Sequence, residues 1–137
     1  MNDNDQDQKS KPDVSEEPII FSYSRQEALS DGVLIDLNQW VSIDASGYKY
    51  PAACTAAVFA IVERAVNNKH FHNDYTGVIA DIFWMSIVMP VEKWETGQLF
   101  EVTITGAGSH PIYTLKVECG PGDEGEPVIT FMLPDED

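Results

Sequence analysis

The sequence is poor in basic residues: 8 Lys and Arg stand against 23 Asp and Glu, which gives a formal net charge of −15 at pH 7. The few bases are scattered singly, so the chain has no basic patch with which to neutralise phosphates. An acidic surface of this kind also repels anionic lipid and attracts basic protein surfaces. The charge balance therefore predicts a basic protein partner and argues against direct contact with nucleic acid or membrane.

Cysteine and long apolar runs are also scarce. The only two cysteines, Cys54 and Cys119, lack a CxxC spacing, and we expect both to be buried thiols in a reducing compartment. No run approaches the roughly 20 apolar residues that cross a bilayer, and the N-terminus lacks a basic segment followed by an apolar one. These absences predict a soluble, cytoplasmic protein.

Catalytic motifs are missing as well. No GxSxG pattern occurs, and the glycine-rich residues 120–125 carry acids and lack the Lys-Ser/Thr ending of a phosphate-binding loop. The sequence therefore predicts a protein without enzymatic activity, cofactor or metal.

The chain divides into a tail and one domain. Residues 1–18 hold almost no apolar side chains and cannot offset the entropy of becoming ordered, so they predict a disordered acidic tail. Residues 19–137 have the length and apolar content of a single α+β domain.

Helical signals dominate the first two thirds of this domain. Short strands are predicted at 19–22 and 33–35, with a short helix between them that begins at a capping box of Ser24 and Glu27. The alanine-rich residues 52–66 predict a long helix with a wide apolar face.

A third predicted helix begins at a cap, Asp74 or Thr76, and stops before Pro90. Because this helix is apolar almost all round, we place both Phe83 and Trp84 in the core.

The last third has the period of two that is typical of strands. Apolar and polar residues alternate over 99–105 and 113–118, and a third strand is predicted at 128–133. The predicted fold is α+β, with helices packed on a C-terminal three-stranded antiparallel meander and one or two short N-terminal strands.

Two features could carry chemistry. His70, His72 and Asp74 share a short window, in which alternating side chains can meet one metal ion, but no further ligand is evident and we favour solvated loop histidines. Asp81 lies among apolar neighbours, and we favour a structural hydrogen-bonding role for it over catalysis.

The C-terminal end is the strongest candidate for a binding site, because residues 118–137 contain seven acids and no base. Such a run is most often a solvated surface, but it can also form a negative patch. Whether the acids form one patch or two depends on which ends of the sheet they occupy. The predicted partner-binding residues are Glu101, Glu118, Asp123, Glu124, Glu126, Asp135, Glu136 and Asp137.

Four segments in order are similar to a family of small uncharacterised proteins carried on bacterial plasmids and phages. They are YSRQEALSDGVLID (23–36), YKYP (48–51), DIFWM (81–85) and GPGDEGEPVIT (120–130). The likeness covers about residues 20–137. It implies a mobile-element setting but no reaction, and it lends no support to the His70 and His72 pair.

Charge and setting together favour a non-enzymatic acidic binding protein, an accessory factor that inhibits a host nucleic-acid-processing or defence protein by occupying its basic surface. One alternative is a small metal-dependent enzyme that uses Asp81, His70, His72 and Asp74. The other is a structural or oligomerising module, since the sequence leaves a homo-oligomer open.

Overall fold

A computed structural model of the chain describes residues 23–137, so the predicted tail at 1–18 and the predicted strand at 19–22 lie outside the described residues. The described part contains four helices, six strands and a short 3₁₀ turn at Leu37–Gln39. The helices are α1 (Arg25–Ser30), α2 (Ile43–Ser46), α3 (Ala56–Asn67) and α4 (Tyr75–Val88). The strands are β1 (Leu34–Asp36), β2 (Ala52–Thr55), β3 (Pro90–Trp94), β4 (Gly97–Thr103), β5 (Ile112–Pro121) and β6 (Pro127–Met132).

All six strands form one mixed sheet in the order β1-β2-β6-β5-β4-β3. Strand β2 runs parallel to β6, and every other neighbouring pair is antiparallel. The predicted architecture, helices on a three-stranded C-terminal meander, is therefore wrong. The protein is a strand-rich α+β domain in which β4, β5 and β6 are only part of a sheet that extends on both sides.

Strand β2 replaces the start of the helix that was predicted over residues 52–66. Its alanines are good helix formers, but Ala52, Ala53 and Cys54 are buried between β1 and β6, where tertiary pairing overrides local propensity. A strand buried on both faces shows no alternation by which the sequence could reveal it. The helix begins one residue after Thr55, whose hydroxyl accepts the N–H of Val58.

Strand β3 was not predicted, because Pro90–Trp94 lacks an alternating apolar pattern and begins with proline. It is an exposed edge of the sheet and, among the strands of residues 23–137, pairs only with β4.

The starts of α1 and α4 follow the sequence signals closely. The predicted capping box is confirmed: the Glu27 N–H donates to the Ser24 hydroxyl at 2.9 Å, and the Ser24 N–H donates to the Glu27 carboxylate at 3.0 Å. Asp74 caps α4 by accepting the Gly77 N–H at 2.7 Å.

The core lies between the sheet and helices α3 and α4. Phe83 of α4 meets Phe131 of β6 edge to face at a centroid distance of 5.3 Å, and Phe100 of β4 meets the same ring at 5.9 Å. Trp84 points away from this cluster and is 64% exposed, so its predicted place in the core is wrong. Within residues 23–137, no helix has the length and apolar character needed to span a bilayer.

Candidate protein-binding surface on helix α4

Helix α4 is apolar on its outer side as well as on its inner side. The inner residues pack against the sheet, whereas Trp84, Ile87 and Val88 are exposed to solvent. Asp81 is the only charged residue among the 14 residues of the helix. A helix that is apolar all round is normally covered on all sides, but within residues 23–137 no element packs on the outer side of α4 at Trp84.

The apolar surface continues past the end of the helix. Met89 follows α4 directly, and Val91 of β3 is 58% exposed. We call Trp84, Ile87, Val88, Met89 and Val91 the α4 surface. Single exposed apolar residues are common, whereas a group of them that includes tryptophan is a candidate site of interaction.

The neighbouring edge strand, β3, has features that discourage another strand from pairing with it. β3 begins with Pro90, its register against β4 shifts between Pro90 and Glu92, and it carries Glu92 and Lys93. Proline, irregular register and charge all discourage another strand from pairing with an edge. A partner on this side would therefore contact side chains of the α4 surface and not the β3 backbone.

The four residues of the alternative hypothesis, a metal-dependent enzyme, are not gathered into one site. His70 and His72 are exposed in the link between α3 and α4, Asp74 caps α4, and Asp81 is exposed on the outer side of that helix. Among residues 23–137, no group of three or more His, Cys, Asp and Glu side chains could hold a metal ion.

The link that carries the two histidines instead fastens the turn between β4 and β5. The Asn68 amide donates to the carbonyl of Gly106 at 3.0 Å, and the Asn73 amide donates to that of Thr105 at 2.8 Å. Arg64 of α3 adds a third bond, from Nε to the carbonyl of Ala107 at 3.0 Å. These donors give the link a structural role that its polar composition alone did not reveal.

The predicted acidic site is divided by strand β6. Asp123, Glu124 and Glu126 lie in the turn before the strand, and Asp135 to Asp137 lie after it. Six residues of strand span about 20 Å, more than two Debye lengths in physiological salt. The two groups are therefore separate patches.

Four of the eight predicted acids are engaged in bonds within the protein. Asp123 accepts the backbone N–H groups of Arg25 and Gln26, which lowers the pKa of its carboxyl group. Glu126 accepts the N–H of Glu124 at 2.9 Å. The other two engaged acids are Glu118 and Glu136.

Glu118 holds the β3–β4 hairpin against β5. Its carboxylate accepts from the Trp94 indole at 3.1 Å and from the Thr96 hydroxyl at 2.8 Å. Near the end of the chain, the Glu136 carboxylate accepts from the Thr55 hydroxyl at 2.8 Å and from the Leu133 N–H at 2.7 Å.

The remaining predicted acids make no side-chain hydrogen bond within residues 23–137, and their side chains are exposed. They are Glu101, Glu124, Asp135 and Asp137. These four are the predicted acids best placed to act on a partner.

The two cysteines differ. Cys54 is a buried thiol, as predicted, and burial together with the nearby Glu136 raises its pKa to about 12. Cys119 is exposed, so the prediction that it is buried is wrong. It lies near the end of β5, beyond the part of the sheet that α4 covers.

Fold and surface together define a strand-rich α+β domain with an apolar helix whose outer residues Trp84, Ile87 and Val88 are exposed. Residues 14–137 match a family of unknown function (DUF6573), and the chain belongs to that family. The resemblance to an uncharacterised family is thus confirmed. No curated protein and no solved structure matches the chain.

Proposed function

We propose that the chain is a non-enzymatic binding protein that docks its α4 surface on an apolar patch of a partner protein, while its acids attract basic residues around that patch. The observation that carries the proposal is Trp84, which is 64% exposed on a helix whose one charge is Asp81. Tryptophan is among the residues that most often anchor protein interfaces.

The charge of the chain supports a basic partner. A formal charge of −15 attracts cationic protein surfaces to the chain and raises the rate at which they associate with it. A second copy of the chain is the less favourable partner, because two surfaces of the same sign would have to approach each other. Asp81 and Glu92 beside the α4 surface add negative charge where a basic rim would meet it.

The partner class that fits is a protein surface that otherwise receives nucleic acid, since such surfaces are rich in Lys and Arg. Carriage on a plasmid or phage, and inhibition of a host nucleic-acid-processing or defence protein, belong to this proposal. Because the acids lie at two ends of β6, their charge would steer association and would not copy the regular spacing of a nucleic-acid backbone.

The experiment compares the full-length wild type with Trp84→Glu and Ile112→Glu as baits in bacterial lysate, followed by binding of the purified partner. Ile112 is the matched control, since it is also a large apolar residue, 61% exposed, but lies at the start of β5. We expect a partner that the wild type and Ile112→Glu retain and Trp84→Glu loses. Equal retention by all three would refute docking through the α4 surface.

Charge steering has its own test. One variant replaces Glu101, Glu124, Asp135 and Asp137 together by Gln or Asn. This removes four charges and breaks no side-chain hydrogen bond within residues 23–137. The association rate with the purified partner should fall and depend less on salt, while the dissociation rate stays nearly unchanged. An unchanged association rate would show that these four acids do not steer the partner.

The two alternatives give different results. A structural or oligomerising module would form a concentration-dependent oligomer that Trp84→Glu converts to a monomer, with no heterologous partner. A metal-dependent enzyme would show an activity that a chelator abolishes.

A further inference from the structure

A cleft of about 380 Å³ opens where α4 ends and leaves the last part of β5 uncovered. Val117 and Ile129 form its apolar floor, and Ile87 and Tyr48 stand beside them. Its volume falls in the range of small-molecule sites, roughly 300–1,000 Å³. The cleft shares Ile87 with the α4 surface, but Trp84, Val88, Met89 and Val91 do not line it.

The polarity of the cleft changes from the middle of the sheet to its edge. One register row places Phe131 opposite Val117, Val117 opposite Gln98, and Gln98 opposite Lys93 on β3. The row therefore runs from a buried ring to an exposed ammonium group. Glu95, in the turn after β3, lines the same cleft.

The inner wall adds hydrogen-bond acceptors. The Ser86 hydroxyl donates to the carbonyl of Phe83 at 2.7 Å, so in the 2.7 Å contact between Tyr48 and Ser86 the tyrosine is the donor. The Tyr48 hydroxyl oxygen can therefore still accept a hydrogen bond from another group. Gln98 likewise uses its amide N–H on the carbonyl of Ser86, which leaves its own carbonyl oxygen as an acceptor.

We propose that this cleft binds a small zwitterion with an apolar side chain, such as a free amino acid. The side chain would rest on Val117 and Ile129, the carboxylate would face Lys93, and the ammonium group would face Glu95 and the Tyr48 oxygen. A simple anion would meet the charge of Glu95, and a simple cation would meet that of Lys93. Only a ligand that carries both charges uses Lys93 and Glu95 together with the apolar floor.

The probe is L-leucine, added to the full-length protein. Binding is followed by the tryptophan fluorescence that Trp94 at the cleft contributes, and by protection of the exposed Cys119 thiol from a thiol reagent. Two analogues isolate the charges: 4-methylpentanoate lacks the ammonium group, and 3-methylbutylamine lacks the carboxylate. We expect saturable binding of leucine and binding about tenfold weaker for each analogue.

Variants assign the charges to residues. Lys93→Gln and Glu95→Gln should each weaken leucine binding about threefold to fivefold, the effect of one exposed charge pair. Lys49→Gln and Glu92→Gln are matched controls outside the cleft lining and should bind like the wild type. All four residues are exposed, so the variants should fold.

Three results would overturn the proposal. Leucine at millimolar concentration could leave both the fluorescence and the Cys119 reactivity unchanged. Either analogue could bind as tightly as leucine, or Lys93→Gln and Glu95→Gln could bind leucine like their controls. None of these results bears on docking through the α4 surface, which Trp84→Glu tests separately.

Discussion

Asp123 holds the first turn of α1 although it lies 98 positions from Arg25 in the sequence: its Oδ1 accepts the Arg25 N–H at 2.7 Å. Its Oδ2 accepts the Gln26 N–H at 3.0 Å. The Arg25 guanidinium in turn donates to the Thr130 hydroxyl and to the carbonyl of Ile129. The β5–β6 turn, α1 and β6 are thereby joined, and an acid that the sequence predicts for partner binding has a structural role.

This contact predicts how stability depends on pH. The Arg25 and Gln26 N–H groups lower the pKa of Asp123 in the folded protein below its unfolded value of about 3.9. A lowered folded pKa contributes stability that is present above the unfolded pKa and is lost as pH falls through the folded pKa. Asp123→Asn should therefore lower the melting temperature at pH 7, and the difference from wild type should shrink towards pH 2.

Glu124→Gln in the same turn is the control for this measurement, because the Glu124 side chain makes no hydrogen bond within residues 23–137. It should melt like the wild type at both pH values. If the melting temperatures of Asp123→Asn and the wild type were equal from pH 7 to pH 2, the Asp123 contact would contribute nothing to stability.

The adjacent aromatic residues of α4 should respond very differently to truncation. Phe83 is 2% exposed and packs on Phe131, so Phe83→Ala should cost about 3–5 kcal/mol in the free energy of unfolding. Trp84→Ala should change that free energy by no more than about 0.5 kcal/mol, because the side chain faces solvent. Urea unfolding measures both; a large loss for Trp84→Ala would place that ring against the core after all.

The sequence predicts the local signals of this fold better than its long-range pairing. Ser24, Glu27 and Asp74 act through neighbours three residues away, so their capping roles could be read directly. Strand β2 could not, because its small buried residues become a strand only by pairing with β1 and β6. Its parallel partner lies more than 70 positions further along the chain.

The α4 surface could not be predicted from the sequence, for a related reason. The pattern of α4 shows that the helix is apolar, but an apolar residue on every side does not indicate which side faces the core. The acids after residue 117 were conspicuous, yet composition does not show that Asp123 and Glu118 are engaged inside the protein. An absent charged face on α4 was the signal that could have pointed to Trp84.

The two thiols should differ in reactivity. Cys119 is exposed and should react with a thiol reagent in the folded protein at neutral pH. Cys54 should react only on unfolding, because it is buried and its pKa is raised to about 12, which leaves almost no thiolate. One thiol per molecule should therefore be labelled in buffer and two in denaturant, as counted by mass spectrometry. Labelling of Cys54 at the rate of Cys119 would contradict the burial of β2.

The last prediction concerns Gly97, which lets β4 and β5 approach each other. A Cβ at this position would lie 2.2 Å from the carbonyl oxygen of Val117, and this oxygen belongs to the backbone and cannot rotate away. Gly97→Ala should therefore cost about 1–3 kcal/mol and loosen the bond between Trp94 and Glu118.

Gly120→Ala is the matched control for that change, since a Cβ at Gly120 meets nothing within 4 Å. Chemical denaturation followed by tryptophan fluorescence reports both effects, because Trp94 lies at the end of β3 beside the substituted glycine. Gly97→Ala should unfold at a lower denaturant concentration than the wild type and Gly120→Ala at nearly the same one. Equal stability of the two variants would contradict this prediction. It would show that the close approach of β4 and β5 at Gly97 does not require glycine.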